Sequence, residues 1–167
     1  LEALKEKGAT NVIALPTHII DGIENHRMKQ VVQEYAQDFA LIAVADALLA
    51  TEEDYENVAK ALWESLKDEV GDAPLILMGH GTEHAADGSY AIFETAIRNY
   101  ADHEIYIATV EGAVTIEDVI ARMQKKHASS TNKKMSNQRV VVTPFMLVAG
   151  DHANNDMAGG MQEAEDG

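Results

Sequence analysis

The sequence predicts an α/β fold made of two similar halves, each a parallel sheet flanked by helices. Three observations support this prediction. Short β-branched runs alternate with segments of helical apolar spacing along the 167 residues. A weak internal repeat relates the first half of the chain to the second. The hydrophobic fraction of 46% is large enough for a core that covers parallel sheets on both faces.

The first half opens with a short helix and a strand. Leu1–Lys7 is expected to be helical, and the β-branched run Asn11–Leu15 predicts a strand. A second helix is expected to begin with Asp21 as its N-cap, because Glu24 follows three residues later. Its apolar face continues to about Gln37.

A strand and a long helix complete this half. Phe39–Val44 is apolar throughout and predicts a buried strand. Thr51 and Asp54 have the spacing of a capping box at the start of a third helix, which Gly71 and Pro74 end.

The second half repeats the alternation of strands and helices. Strands are expected at Leu75–Met78, Glu104–Val110 and Arg139–Thr143, with helices at about Ser89–Tyr100 and after a Thr115–Asp118 cap. The last helix is expected to turn four residues inward, namely Ile116, Val119, Ile120 and Met123. A polar stretch, Lys125–Gln138, precedes the final strand.

The internal repeat predicts the domain division. Ile13-Ala14 matches Ile107-Ala108, since each pair is followed by a loop, an Ile-Glu pair and a methionine. The chain is therefore expected to divide into a partial amino-terminal domain, 1–72, and a carboxyl-terminal domain, 73–167. In this comparison the first copy lacks an opening strand and the second lacks a closing helix. We expect both domains to be truncated.

Composition excludes several classes of function. The chain has 13 Lys and Arg against 28 Asp and Glu, and its net charge of -15 opposes nucleic-acid binding. No apolar stretch reaches the roughly 18 to 20 residues of a membrane span, so no such span is expected. We expect a cytoplasmic location. Neither a Gly-x-Ser-x-Gly motif nor a Walker loop is present. The absence of cysteine leaves His, Asp and Glu as metal ligands.

Three candidate metal ligands follow predicted strands of the second half. His80 comes directly after one strand, Glu111 after the next, and His152 after the last. Ligands of open parallel sheets bind at the carboxyl ends of the strands. Two imidazoles and one carboxylate suit Co²⁺, Fe²⁺, Ni²⁺ or Zn²⁺. A histidine at a turn is more often a structural residue, so the pattern alone leaves both interpretations open.

The other histidines carry weaker signals. His84, four residues after His80, is a candidate for substrate contact or for support of the site. His18 is interpreted as structural, although it occupies the place in the first half that the Glu111 loop occupies in the second. Three more are expected at solvated positions, namely His26, His103 and His127.

Three motifs resemble one enzyme family. Leu77–His84, Val110–Gly112 and above all the long run Pro144–Gly159 are similar to sequences of the anaerobic sirohydrochlorin cobaltochelatases, the class II tetrapyrrole chelatases. Pro16–Gly22 adds a weaker match to the amino-terminal domain of that family. The resemblance covers nearly the whole chain. It implies two chelatase-like halves with a cleft between them.

The resemblance also implies a reaction and roles for residues. Co²⁺, as substrate metal, would be inserted into sirohydrochlorin or a related tetrapyrrole without ATP, on the path to cobalamin. His80, Glu111 and His152 would bind the metal, and His80 would accept a pyrrole proton. His84 and Gly81 would contact the tetrapyrrole.

Several alternatives stay open at this point. The physiological metal could be Fe²⁺, Ni²⁺ or Zn²⁺ in place of Co²⁺, and the chain could be a homo-oligomer. A protein that binds metal or tetrapyrrole without turnover is the competing function. Titration with Co²⁺ followed by the absorption spectrum of added sirohydrochlorin separates the enzyme from the binding protein.

Overall fold

The computed structural model describes residues 1–128 and 139–147, in which helices and strands alternate. The α-helices are α1 (Glu2–Glu6), α2 (Ile23–Glu34), α3 (Glu52–Val70), α4 (Gly88–Ala101) and α5 (Ile116–Ala128). The strands are β1 (Asn11–Ala14), β2 (Leu41–Val44), β3 (Leu75–Gly79), β4 (Ile105–Thr109) and β5 (Val141–Pro144). A single 3-10 turn, Ala85–Asp87, precedes α4 in this part of the chain.

The strands form two parallel sheets, which confirms the predicted α/β class. β1 pairs with β2, and the second sheet has the order β4-β3-β5. In the second sheet Leu77 lies opposite Ile107 on one side and Thr143 on the other. Because all three strands run in the same direction, their carboxyl ends meet at one edge.

The second sheet is covered on both faces, as the sequence predicts. Alternate residues of β3 and β4 point to opposite sides. One set packs with α3 and α4, and its members are Leu75, Leu77, Ile105 and Ile107. The other set packs with α5, and its members are Ile76, Met78, Tyr106 and Ala108. Every residue of β3 and β4 is buried, so this sheet is a rigid base for the loops at its edge.

The first sheet is more open than expected. The prediction of a buried strand at Phe39–Val44 is wrong, because β2 begins at Leu41 and its residues alternate between exposed and half-buried. Ile13 is 72% exposed and Leu41 is 50% exposed. Each points away from the packed side of a sheet that has only one covered face within residues 1–128 and 139–147.

Two helices begin with the predicted capping boxes. At α3 the Thr51 N–H donates to Oδ2 of Asp54 at 2.8 Å, and the Asp54 N–H donates back to Thr51 Oγ1 at 3.2 Å. Thr115 and Asp118 repeat the arrangement at α5, with distances of 3.0 and 3.3 Å. Hydrogen bonds from the Thr51 hydroxyl, at 2.7 Å, and from the Thr51 N–H hold the pKa of Asp54 below its usual value. Four orphan donors at the two helix starts are thereby satisfied.

The start of α2 differs from the prediction. Gly22, not Asp21, is the N-cap, and it makes no side-chain cap hydrogen bond. The carboxylate of Asp21 instead accepts a hydrogen bond from Lys29 Nζ at 3.0 Å, which lowers the pKa of Asp21. A side chain eight residues further on has replaced the backbone amide as the donor. The helix ends at Glu34, earlier than predicted.

The buried face of α5 is narrower than predicted. Val119 and Met123 are buried, and Ile116 packs at their edge. Ile120 was expected to face inward, but it is 43% exposed, so that prediction is wrong. One residue after Val119 lies about 100° around the helix, which is enough to leave the contact with the sheet. The helix also extends to Ala128, into the stretch expected to be merely polar.

The long helix α3 links the two halves. It packs against α4, and its buried residues Ala59 and Val70 join the core of the second sheet. Ile20 and Leu49 of the first half belong to the same core cluster. The division into 1–72 and 73–167 stays a prediction. None of the described helices is both long enough and apolar enough to span a bilayer.

Candidate active site

The loop that follows β3 meets the loop that follows β4 at the edge of the second sheet. Backbone hydrogen bonds continue the parallel pairing beyond the strands, from Val110 N–H to the Gly79 oxygen at 3.1 Å and from Glu111 N–H to the His80 oxygen at 2.8 Å. Nδ1 of His80 lies 3.9 Å from Oε2 of Glu111. Two of the three candidate metal ligands are therefore close together.

Glycine allows this close approach of the two loops. Gly81 has a φ of +81°, in the left-handed region that favours glycine. A Cβ atom at this position would lie 2.3 Å from the Gly112 nitrogen and 2.7 Å from its Cα. These contacts are with backbone, which cannot move aside without separating the loops. Gly81, expected to contact the tetrapyrrole, is thus first a requirement for the geometry of the site.

The imidazole of His80 is oriented by its own loop. Nδ1 lies 3.1 Å from the carbonyl oxygen of Gly81. A carbonyl oxygen can only accept, so Nδ1 carries the proton, and the neutral ring has its lone pair on Nε2. The side chains of His80 and Glu111 are 51% and 56% exposed. A metal ion from solution can therefore reach both.

The side chain of Tyr90 holds the loop that carries His80 by a hydrogen bond. Its hydroxyl oxygen accepts a hydrogen bond from the Gly81 N–H at 3.4 Å. Burial raises the pKa of Tyr90, so the phenol stays neutral. A Cβ atom at Gly79 would lie 2.5 Å from the tyrosine ring, so that position also requires glycine. The sequence could not show that Tyr90 holds this loop, because the two become neighbours only in the folded chain.

A cavity of about 420 Å³ lies beside His80 and is lined by residues of both halves. Its apolar lining includes Ile19 and Ile20 from the first half and Phe145 and Leu147 from the second. Phe145 is held by its N–H, which donates to the Met78 oxygen at 2.7 Å. Its ring stacks on Phe93, with centroids 4.7 Å apart. The candidate metal ligand His80 thus opens onto a largely apolar space.

His18 also lines this cavity, although the sequence suggested only a structural role. Nδ2 of Asn25 lies 3.3 Å from Nδ1 of His18. With Nδ2 as the donor, Nδ1 of His18 accepts, and the proton of the neutral ring is on Nε2. Asn25 is 1% exposed, so the ring is positioned by a buried group. The signal in the sequence was the place of His18 just after β1, equivalent to the loop after β4.

His84 lies near the site but faces a second cavity. Its Nδ1 accepts a hydrogen bond from the Ala86 N–H at 3.1 Å, which makes His84 the cap of the 3-10 turn. The ring contacts that of His26 edge-on, with centroids 5.0 Å apart. A cavity of about 790 Å³ is lined by both His84 and Glu111. Glu111 therefore lies between this second cavity and the ring of His80.

Two histidines that were expected to be solvated are half-buried. Nε2 of His103 donates to the Ala73 oxygen at 2.8 Å, and its ring lies 4.9 Å from that of Trp63. Nε2 of His127 is 3.5 Å from a carboxylate oxygen of Glu104. The prediction is wrong for both, because contacts distant in sequence bury them. His26 is exposed, as expected.

The third candidate ligand, His152, lies outside the described residues, together with most of the Pro144–Gly159 motif. Across residues 1–128 and 139–147, no group of three His, Cys, Asp or Glu side chains has an arrangement that could hold a metal ion. The chain leaving β5 nevertheless leads past the site, because Met146 and Leu147 line the cavity beside His80.

Comparisons with known proteins identify the family of this chain. The cobalt chelatase (CbiK) family model matches residues 1–165. Sirohydrochlorin cobaltochelatase CbiKC of Nitratidesulfovibrio vulgaris (strain Hildenborough) is 31% identical over 153 residues, which are 90% of this chain and 51% of the relative. The sirohydrochlorin cobaltochelatase of Salmonella typhimurium is 29% identical over 161 residues, 95% of this chain and 56% of the relative.

The matches cover most of this chain but only part of its relatives. The chain spans about half the length of the two relatives, whereas the family model covers nearly all of the chain. The resemblance found in the motifs around His80, Glu111 and residues 144–159 is thereby confirmed for the sequence as a whole. On this evidence the chain belongs to the cobalt chelatase (CbiK) family.

Proposed function

We propose that this chain carries the metal-inserting site of a sirohydrochlorin cobaltochelatase, a lyase that works without ATP in anaerobic cobalamin biosynthesis. The observation that carries the proposal is the convergence of the His80 ring and the Glu111 carboxylate beyond adjacent strands, with Nδ1 3.9 Å from Oε2. Because Nδ1 donates to the Gly81 oxygen, Nε2 is the nitrogen of this ring that can bind a metal. Family membership supports cobalt as the metal and sirohydrochlorin as the tetrapyrrole.

The chemistry of insertion matches these side chains. Co²⁺ enters the ring as two pyrrole N–H protons leave, so the site must deliver a dication and accept protons. The Nε2 lone pair of His80 can do either, because its Nδ1–H is held by the Gly81 oxygen. The carboxylate of Glu111 offsets the charge of the metal and weakens its hold on water.

The roles of the remaining site residues are proposed from where these residues lie in the chain and in the cavity. His152, which follows β5 in the sequence, is the proposed third metal ligand. The apolar lining at Ile19, Ile20 and Phe145 receives the face of the tetrapyrrole. His18 donates its Nε2–H to an acidic side chain of the polyanionic substrate, and Gly81 and His84 contact the ring from the other half.

An anaerobic assay tests the proposed function. The purified chain is mixed with sirohydrochlorin and Co²⁺ without ATP, and the absorption spectrum of the tetrapyrrole is followed. We expect the cobalt product to form faster than in a protein-free control, and faster than with Fe²⁺, Ni²⁺ or Zn²⁺. A rate equal to the control would contradict the proposal. Tight binding without faster insertion would favour a binding protein. Homo-oligomerisation and a cytoplasmic location stay predictions.

A further inference from the structure

Asp87 connects the two loops that carry His80 and Glu111. Its Oδ1 accepts a hydrogen bond from the Thr82 N–H at 3.1 Å, and its Oδ2 accepts one from the Ala113 N–H at 2.9 Å. Thr82 lies two residues after His80, and Ala113 lies two residues after Glu111. One carboxylate therefore joins equivalent points of the two loops.

The Asp87 carboxylate is not used to cap the helix that follows it. Asp87 is the N-cap of α4, a position where aspartate commonly accepts a hydrogen bond from the first turn of the helix. No side-chain cap hydrogen bond is formed here. Both oxygens instead accept from loop amides, so the side chain serves the loops rather than the helix.

The Asp87 side chain packs against the loop that carries Glu111. A Cβ atom at Gly112 would lie 2.3 Å from Asp87 Oδ1 and 2.4 Å from Thr109 Oγ1. The carboxylate thus packs directly against the backbone of the loop that carries Glu111. Gly81 also packs against the backbone of Gly112. The His80 loop, the Glu111 loop and Asp87 form one closely packed unit.

We propose that Asp87 is a positioning residue of the metal site, which sets the separation of His80 and Glu111 through hydrogen bonds to both loops. The inference rests on the proposed function, in which these two side chains bind one metal ion. Hydrogen bonds from N–H groups to a carboxylate are roughly twice as strong as those between neutral groups. The carboxylate acts through the loop backbone and does not itself touch the metal.

Asp87→Asn tests the positioning role. An amide has a single acceptor oxygen, and its NH₂ group would face the second N–H donor. We expect Co²⁺ affinity to fall by about 10- to 100-fold, as is typical when support of a metal ligand is lost. The ligand-field absorption of bound Co²⁺ should change, and kcat for insertion should fall more than KM for sirohydrochlorin rises.

Asp102→Asn is the matched control. It removes the same charge at the opposite end of α4, where the left-handed backbone (φ +48°) tolerates asparagine well. Its Co²⁺ affinity and spectrum should equal those of the unaltered protein. If Asp87→Asn does not fold, Co²⁺ affinity and spectrum are measured instead for Asp87→Ser, whose short hydroxyl cannot reach both loops.

Amide hydrogen exchange separates this inference from the function on which it rests. Without metal, the amides of Thr82 and Ala113 should exchange faster in Asp87→Asn than in the unaltered protein. An Asp87→Asn protein with unchanged Co²⁺ affinity and spectrum would overturn the positioning role and leave the proposed function standing. Failure of the unaltered protein to bind Co²⁺ would overturn the proposed function, and the positioning role with it.

Discussion

His80 follows the end of β3 by one residue and Glu111 follows the end of β4 by two, and the Glu111 N–H donates to the His80 carbonyl oxygen at 2.8 Å. Their side chains approach each other there, with Nδ1 and Oε2 3.9 Å apart. The closeness of the two side chains is set by backbone hydrogen bonds that continue the pairing of the strands, not by the conformation of flexible loops. Every residue of β3 and β4 is buried, so the pair is held on a rigid base.

Gly81→Ala should damage the site far more than an alanine elsewhere near it. The new Cβ would lie 2.3 Å from the Gly112 nitrogen, and the φ of +81° is unfavourable for alanine. We expect a loss of stability greater than about 1 kcal/mol and weaker Co²⁺ binding, measured by denaturant unfolding and by titration. Gly88→Ala is the control, because nothing lies within 4 Å of its Cβ. Equal effects of the two substitutions would contradict the close packing of the loops.

His18→Ala should weaken binding of the tetrapyrrole but not of the metal. Loss of one hydrogen bond to a charged group costs about 1.5 kcal/mol or more, so KM for sirohydrochlorin should rise roughly tenfold. Co²⁺ affinity, measured without tetrapyrrole, should not change. His18→Gln keeps an N–H donor and should retain most of the affinity. A fall in Co²⁺ affinity in His18→Ala would show that His18 is a metal ligand instead.

Tyr106 should make stability depend on alkaline pH. Burial raises its pKa to about 12, and its hydroxyl also donates to Glu104 at 2.7 Å. The unfolded chain would titrate near a pKa of about 10, so the folded state holds the proton more tightly. The stabilisation is complete below about pH 10 and is lost as the pH rises towards 12.

Tyr106→Phe provides the measurement for this prediction. The difference in free energy of unfolding between the unaltered protein and Tyr106→Phe, obtained from urea unfolding, should shrink between about pH 10 and 12. Other tyrosines contribute equally to both proteins and cancel. A difference that stays constant over this range would show that Tyr106 titrates as it does in the unfolded chain.

Features that depend on a few neighbouring residues could be predicted from the sequence. The capping boxes at Thr51 and Thr115 form as expected, because donor and acceptor are three residues apart. The order of strands and helices followed from local periodicity in the same way. The placing of His80 and Glu111 at strand ends then made their convergence predictable, since parallel strands bring such residues to one edge.

Features that depend on distant contacts could not be predicted. His103 is half-buried because α3 brings Trp63 against it, and Ile120 is exposed because it lies about 100° around its helix from the buried Val119. The sequence did not indicate the role of Asp87, because its partners Thr82 and Ala113 become neighbours only when the two loops meet. The proximity of His18 to His80 likewise arises from the packing of the two halves.

The affinity for Co²⁺ of variants at the paired strand ends tests the central claim most directly. It should be measured anaerobically by calorimetry for the unaltered protein, His80→Ala, Glu111→Gln and the control Glu117→Gln, which alters an exposed glutamate in the first turn of α5. The account predicts that Glu117→Gln binds normally. In His80→Ala and Glu111→Gln the affinity for Co²⁺ should fall by more than the roughly 10- to 100-fold that is lost when a residue supporting a metal ligand is removed. Unchanged affinity in both would contradict the assignment of this pair as the metal site.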